Sequence, residues 1–294
     1  MAIVQGNVDQ TIKWDVDQRQ AIVDRYLALS EAHWSADTLV WPEFALTAYG
    51  ASAEQITGML GARGRQTNTN VVIGAPRVEW QRNVAGVGVN EPRYQLFNAA
   101  LGLGQAQGVV TKHHLVPFGD YVPLQEWLRG LIEFFDLPMS NATRGAAQQD
   151  NVVLSLNGQQ VQAAIGICYE IAYGNSMRKR AQHAGVLMTL TNDTWFGRSI
   201  GPHQHMQIAR VRALENGRWL LRAANDGITG AVDQHGNIRA QLPQFVEGVL
   251  ATTFQIMQGA TPYSVLGDWP LFIIIVGLIG VSLRRSHSDA GKMA

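Results

Sequence analysis

Short apolar runs alternate along the chain with stretches in which apolar residues recur at helical spacing. "AIVQ" (Ala2–Gln5), "TLVW" (Thr38–Trp41), "NVVIGA" (Asn70–Ala75), "VQAAIGI" (Val161–Ile167) and "VLMTLT" (Val186–Thr191) read as buried strands, too short for helices and largely free of polar alternation. A helix is expected between the first two, from Asp15 to His33, with Ile22, Tyr26, Leu29 and His33 along one face. Two more are expected over Ser176–Ala184 and Pro202–Gly217, the second with proline at its start and glycine at its end. Strands alternating with helices predict an α/β layered domain. The glycines of "LGLGQAQGVV", at 102, 104 and 108, do not fit the G-x-G-x-x-G spacing of a nucleotide loop, and a hairpin turn is expected there.

The closing segment departs from this pattern. "WPLFIIIVGLIGVSL" (Trp269–Leu283) carries no charge and is followed at once by Arg284 and Arg285. As a helix it would be roughly 22 Å long, or about 28 Å counted from Val265, which predicts one transmembrane helix over about 265–283. A tryptophan stands at one interface and arginines can snorkel at the other. The excess of basic residues in "RRSHSDAGKMA" puts that tail in the cytoplasm and everything before Asp268 on the far side. Yet the first residues, "MAIVQGNVDQ", show no basic start, apolar core or cleavage site to direct export. The two ends agree only if membrane helices precede this segment, so the chain is expected to be the C-terminal part of a larger membrane protein or a truncated relative of one.

Composition narrows the function classes. With 294 residues, 46% hydrophobic and 16% charged, the chain can bury a large core and is not a disordered tail. Lys+Arg and Asp+Glu balance at 23 each, leaving no net field to attract nucleic acid. A single cysteine excludes an intrachain disulfide and a cysteine-based zinc site. His113, His114, His203 and His205 are joined by no further ligand set of recognisable spacing, so no metal site is expected.

Three stretches can carry chemistry. Cys168, the only thiol, follows the strand at Val161–Ile167, where a chain leaving a sheet can expose a side chain. As a thiolate it would be a strong nucleophile, given a base or a positive field nearby; as a thiol it serves equally as core filler. In "LVWPEFALTAYG" Pro42 stops a strand and leaves Glu43 at its end among aromatic neighbours, able either to take a thiol proton or simply to favour a helix N-terminus. "KHHLVPFGDYVP" opens with Lys112 and continues as a proline-pinned loop holding Asp120. A lysine beside a thiol lowers its pKa and can stabilise an oxyanion, although most lysines are simply solvated.

In the order Glu43, Lys112, Cys168, these elements resemble the Glu-Lys-Cys triad of the nitrilase superfamily. More narrowly, "VQGNVDQTIKWD", "VWPE", "KHHLVPFGDYVPL", "GICYE", "TNDTWFG", "GPHQHMQIARVRALENGR" and "GITG", with the closing hydrophobic helix, are similar to the apolipoprotein N-acyltransferases, a bacterial inner-membrane family that completes lipoprotein maturation. The likeness runs from about residue 2 to about residue 285 (the triad motif alone would indicate only the superfamily). It implies a four-layer α-β-β-α nitrilase-type (carbon-nitrogen hydrolase) sandwich over residues 1–258. Residues 259–294 would then hold a linker, the transmembrane helix and the basic tail. The catalytic domain would face the periplasm and the C-terminus the cytoplasm.

The resemblance further implies Glu43 as general base, Lys112 as oxyanion stabiliser and Cys168 as nucleophile. Tyr169 and Glu170 would shape the surroundings of the thiolate, and Trp14 and Trp195 match tryptophans on mobile arms around the family's site. The implied reaction is ping-pong. Cys168 takes an acyl chain from a phospholipid, typically phosphatidylethanolamine, and passes it from a thioester to the N-terminal amine of a diacylglyceryl-cysteine apolipoprotein. The lipid bilayer is an implied partner, and no cofactor, metal or nucleic acid is. Where the family carries glutamate in the loop after the lysine, this chain has Asp120, one methylene shorter, and the family's upstream membrane helices are absent. Two other readings stand beside this one: an amidase of the same superfamily that hydrolyses a small amide, and an inactive, membrane-anchored binding module.

Overall fold

Strands apolar on both faces must be covered on both faces. The computed structural model, which describes residues 1–80, 94–123 and 141–290, does this with four layers. Its strands are β1 (Ala2–Gln5), β2 (Thr38–Val40), β3 (Asn70–Trp80), β4 (Tyr94–Gly104), β5 (Val109–Thr111), β6 (Val152–Leu156), β7 (Gln159–Ile167), β8 (Val186–Thr191), β9 (Leu220–Ala224), β10 (Thr229–Val232), β11 (Ile238–Leu242) and β12 (Gly248–Ala251). They form two six-stranded sheets, ordered β12-β1-β2-β3-β4-β5 and β11-β10-β9-β8-β7-β6. In each, three neighbouring strands run parallel, β1-β2-β3 and β7-β8-β9.

Helices α1 (Gln10–Lys13), α2 (Arg19–Ser30), α3 (Ala51–Thr67), α4 (Gly174–Ala181), α5 (Gly201–Asn216), α6 (Pro262–Leu266) and α7 (Trp269–Ala290) complete the described residues. Successive strand residues point to opposite faces, so each strand serves two cores. Ile3, Val40 and Val72 meet Leu154, Ile165, Met188 and Leu221 between the sheets. Their neighbours Val4, Leu39 and Ile73 face outward onto Ile22, Val23 and Tyr26 of α2 and Leu60 of α3. On the other side Ala164, Leu187 and Leu220 pack on Met177 of α4 and Met206, Ala209 and Ala213 of α5. Each Ile, Leu or Val so enclosed contributes about 1.5–3 kcal/mol.

The expected strands are present, with β2 ending one residue early, at Val40, and β3 running on to Trp80. "LGLGQAQGVV" forms the hairpin between β4 and β5, Leu101 opposite Val109. The first long helix begins at Arg19 rather than Asp15, because the Asp15 carboxylate accepts the Asp17 backbone N–H at 2.9 Å and holds a turn there. Its buried face is Ile22, Val23, Tyr26 and Ser30, displaced from the expected stripe; Leu29 and His33 are only half-buried. The helix expected at 176–184 lies at Gly174–Ala181, and the one at 202–217 at Gly201–Asn216, with Gly217 left-handed beyond it.

The C-terminus corrects a larger expectation. Val265 belongs to α6, which closes at Gly267, with φ 57° and its N–H donating to Tyr263 O at 2.7 Å. The apolar run can therefore be counted only from Trp269, about 22 Å of helix against a hydrocarbon layer of about 30 Å. Among the described residues no helix is long and apolar enough to cross a membrane. What is present is a helix, α7, whose apolar residues, Leu271 to Val276 among them, are all exposed. Residues 291–294 of the expected cytoplasmic tail lie outside the described residues.

One glycine ties the fold to the end of β2. A Cβ on Gly74 would collide with the carbonyl of Pro42 and lie 2.6 Å from Glu43 Cα and 2.8 Å from Phe44 N. None of these backbone atoms can swing aside as a side chain can. Gly74→Ala is expected to displace the Pro42–Phe44 turn and lower stability by about 2 kcal/mol, measured by urea unfolding. An unchanged midpoint would show that the turn is free to move.

Candidate active site

Glu43, Lys112, Cys168 and Asn192 each follow the end of a strand, β2, β5, β7 and β8 in turn, and all four line one cavity of about 250 Å³. Open α/β sheets place ligands at such strand ends, where backbone groups leave the ladder and side chains turn outward. The cavity wall is apolar for much of its extent: Trp14, Phe44, Val116, Pro117, Phe118, Trp195 and Phe196. Trp14 stands edge-on against Phe44, with ring centroids 5.1 Å apart.

The polar floor is a buried charge cluster. Lys112 Nζ lies 3.2 Å from Glu43 Oε1 and 2.7 Å from Asp120 Oδ2. Burial, the largest influence on Lys112, works against its charge, but Glu43, Cys168 and Asp120 together outweigh it and raise its pKa. Asp120 is short but sufficient. The Val116 N–H donates to its Oδ2 at 2.8 Å and its own N–H to Val116 O at 2.9 Å, so a tight turn brings the carboxylate to the lysine. Glu43 sits among donors rather than apolar groups. Its Oε1 also accepts from Asn98 Nδ2 at 2.7 Å, and its Oε2 accepts the Asn192 backbone N–H at 2.9 Å.

Cys168 occupies the first residue of a 3-10 turn, Cys168–Ala172, in the left-handed region at φ 53°. Burial and the charge of Glu43 push its thiol up to about 12, although Lys112 and Thr191 pull the other way. Lys112 therefore acts in the expected direction without producing a resting thiolate. At neutral pH the thiol keeps its proton, and attack needs a base.

Glu170 is buried and spans two elements. Its Oε1 accepts the His113 and His114 N–H groups at 2.9 and 3.2 Å, and its Oε2 accepts the Ile167 N–H at 3.0 Å. It thereby pins the chain after Lys112 to the chain before Cys168. Tyr169 and Trp195 are 43% and 53% exposed and lie at the rim, where a substrate can reach them.

Several site residues were not legible as such in the sequence. Asn98 lies mid-strand in β4 and Asn192 offers its main chain, so neither advertises a role. Lys13, 1% exposed, donates to the Glu43 carbonyl oxygen at 3.2 Å. Burial depresses its pKa to about 8, against the opposing pull of Glu43, Asp226 and Cys168. Among the described residues no group of three or more His, Cys, Asp or Glu side chains is arranged to hold a metal ion.

Comparison with known proteins identifies the family and the fold. The family model for carbon-nitrogen hydrolase matches residues 1–261. The chain belongs to the carbon-nitrogen hydrolase family. It is 45% identical over 283 residues to an apolipoprotein N-acyltransferase of Pseudomonas aeruginosa, covering 95% of this chain and 52% of the relative. The chain thus spans about half the length of the curated relatives it matches. Among solved structures, the carbon-nitrogen hydrolase of Helicobacter pylori G27 superposes with TM-score 0.58 at 12% identity, over 84% of this chain and 86% of that one. The amidase of Nesterenkonia sp. AN1, solved with an acetamide group added covalently at its active-site cysteine, gives 0.54 at 18% identity, over 84% and 87%. These likenesses establish the two-sheet fold of a carbon-nitrogen hydrolase.

The raised thiol pKa sets a pH dependence. On the expectation that Glu43 takes the thiol proton, acylation of Cys168 by a small activated ester at pH 7 should fall about 10²- to 10⁴-fold in Glu43→Gln. The Glu43 charge also helps hold the proton on the thiol, so the variant's thiol titrates below the wild-type value of about 12. Its deficit should therefore shrink as pH rises toward 10, followed by intact-protein mass spectrometry. A deficit that stays constant with pH would mean that Glu43 does not handle the thiol proton.

Proposed function

We propose that this chain carries the acyl-transfer site of an apolipoprotein N-acyltransferase. The observation that carries the reading is the meeting of Glu43, Lys112 and Cys168 at the floor of an aromatic-walled cavity, in a chain 45% identical over nearly its whole length to such an enzyme. An aromatic wall suits an acyl chain, which gains by leaving water, and a charged floor suits the ester that the chain carries.

In the proposed reaction Glu43 accepts the thiol proton as Cys168 Sγ attacks the ester carbonyl of a phospholipid such as phosphatidylethanolamine. Lys112 stabilises the tetrahedral oxyanion. The C–O bond breaks, Glu43 returns the proton to the departing lysophospholipid, and a thioester remains on Cys168. The N-terminal amine of a diacylglyceryl-cysteine apolipoprotein then attacks the thioester. An amide forms as the C–S bond breaks, and the amine proton passes through Glu43 to the departing Cys168 thiolate. Amide formation from a thioester is downhill, so no nucleotide is required. Asp120 holds Lys112, Glu170 ties the two catalytic loops together, and Tyr169, Trp14 and Trp195 guide the lipid.

The exposed apolar flank of α7 fits this role, since an enzyme that takes chains from a bilayer must lie against one. In this reading α7 lies against a bacterial inner membrane, beside further segments of a longer protein, with the sandwich on the periplasmic side.

The test is intact-protein mass spectrometry of the detergent-solubilised chain after incubation with phosphatidylethanolamine, beside Cys168→Ala. The expected result is a mass gain of one acyl group, absent from the variant and released by a diacylglyceryl-cysteine peptide. Rapid hydrolysis of small amides with no acyl adduct would replace the proposal with an amidase. A Cys168 inert to every acyl donor and alkylating agent would leave a binding module.

A further inference from the structure

His205, on α5, lies outside the cavity lining and has no part in the proton and acyl transfers above, yet it is 2% exposed and bonded to the main chain of Cys168. Its Nε2 lies 3.2 Å from Cys168 O. A carbonyl oxygen only accepts, so Nε2 carries the proton and donates. On the other side of the ring, Nδ1 lies 3.1 Å from Arg222 Nη2 and 3.0 Å from Asp193 Oδ1. Nδ1 accepts from the guanidinium when the ring is neutral and donates to the carboxylate when it is charged. The Nε2–H donor is therefore present in both states. Burial first, then Arg222, lower the pKa of His205, which favours the neutral ring.

The ring is itself held rigidly. Arg222 Nη2 donates to Asp193 Oδ2 at 2.6 Å, and Thr191 Oγ1 donates to Asp193 Oδ1 at 3.0 Å. Arg222 and Asp193 are 0% and 1% exposed. Thr191 also acts on the thiol, lowering its pKa. Two arms of one buried cluster thus converge on Cys168, one on its sulfur and one on its carbonyl. That carbonyl belongs to a residue at φ 53°, a backbone conformation that L side chains adopt only when the surroundings impose it.

We infer that His205 is a positioning residue for the nucleophile: its Nε2–H clamps the Cys168 carbonyl and keeps the left-handed turn that aims the thiol into the cavity. The inference rests on Cys168 being the nucleophile and is indifferent to which acyl donor it meets.

Two amides separate the two ring nitrogens. In His205→Gln the side-chain NH2 can take the place of Nε2 and reach the Cys168 carbonyl. In His205→Asn it can replace only Nδ1 and reach Asp193. The readout is single-turnover acylation of Cys168 by saturating p-nitrophenyl butyrate, which needs no lipid, with thermal unfolding of each variant alongside. His205→Asn should lose about 100-fold in the acylation rate constant with little change in ester affinity, while His205→Gln stays within about fivefold of wild type and the two unfold at similar temperatures. Equal losses in the two variants, or a loss in Asn that follows its unfolding temperature, would assign His205 a purely structural role and overturn the clamp. Full activity in Asn would overturn it also. If the ester series behaves as expected while phosphatidylethanolamine gives no adduct, the acyltransferase reading fails and the clamp stands. A wild-type Cys168 that does not react with the ester overturns both.

Discussion

Lys112 carries the charge that lets Glu43 and Asp120 be buried together, 3.2 and 2.7 Å from its Nζ. Two carboxylates in so closed a space would repel each other and forfeit their hydration without a cation between them. Removing one partner from a buried group of this kind costs about 3–5 kcal/mol, because it strands the charge left behind. The neighbouring geometry follows from the same requirement. The Lys112 main chain is held to both sides, its N–H donating to Asn98 O and its carbonyl accepting from Gly145 N, each at 2.8 Å. Asn98 also reaches Glu43 from the same strand. The ion cluster is thus anchored to the sheet rather than to flexible loops.

Strain gathers around that cluster. Phe44, Phe118 and Cys168 all take left-handed backbone conformations, at φ 50°, 63° and 53°, and all three line the cavity. For bulky residues such angles persist only where the surroundings hold them. Here the supports are the close contact at Gly74 beneath the Glu43 turn, the hydrogen bonds within the Val116–Asp120 turn, and Glu170 with His205 on either side of Cys168. Rigid supports of this kind hold a thiol that rests protonated in one fixed geometry relative to Glu43 and Lys112.

Much of this was legible in the chain. "AIVQ", "NVVIGA", "VQAAIGI" and "VLMTLT" announce strands covered on both sides, since only a doubly covered strand can afford no polar face. Gly217 and Pro202 mark the ends of α5 by backbone chemistry that needs no tertiary context. The length of the closing helix was misjudged for a local reason: Val265 and Trp269 look continuous until Gly267 turns the chain between them. Strands such as β9, with Arg222 in its midst, were hidden because their charges are neutralised only by residues far away in sequence.

Local sequence therefore determined the layered α/β class, the strand ends at which Glu43, Lys112 and Cys168 appear, and the apolar character of the last helix. Each of these depends on side-chain period, capping or composition, which act over a few residues. Only the tertiary structure decided that Asp120 reaches Lys112, that Glu43 is surrounded by donors from β4 and from the residue after β8, and that His205 holds the Cys168 carbonyl. Those contacts join residues 8, 55, 149 and 37 positions apart. A hydrogen bond depends on distances of a few tenths of an ångström, and these are set by the Val116–Asp120 turn, by strand order within a sheet and by the packing of layers on one another, not by the local pattern of side chains.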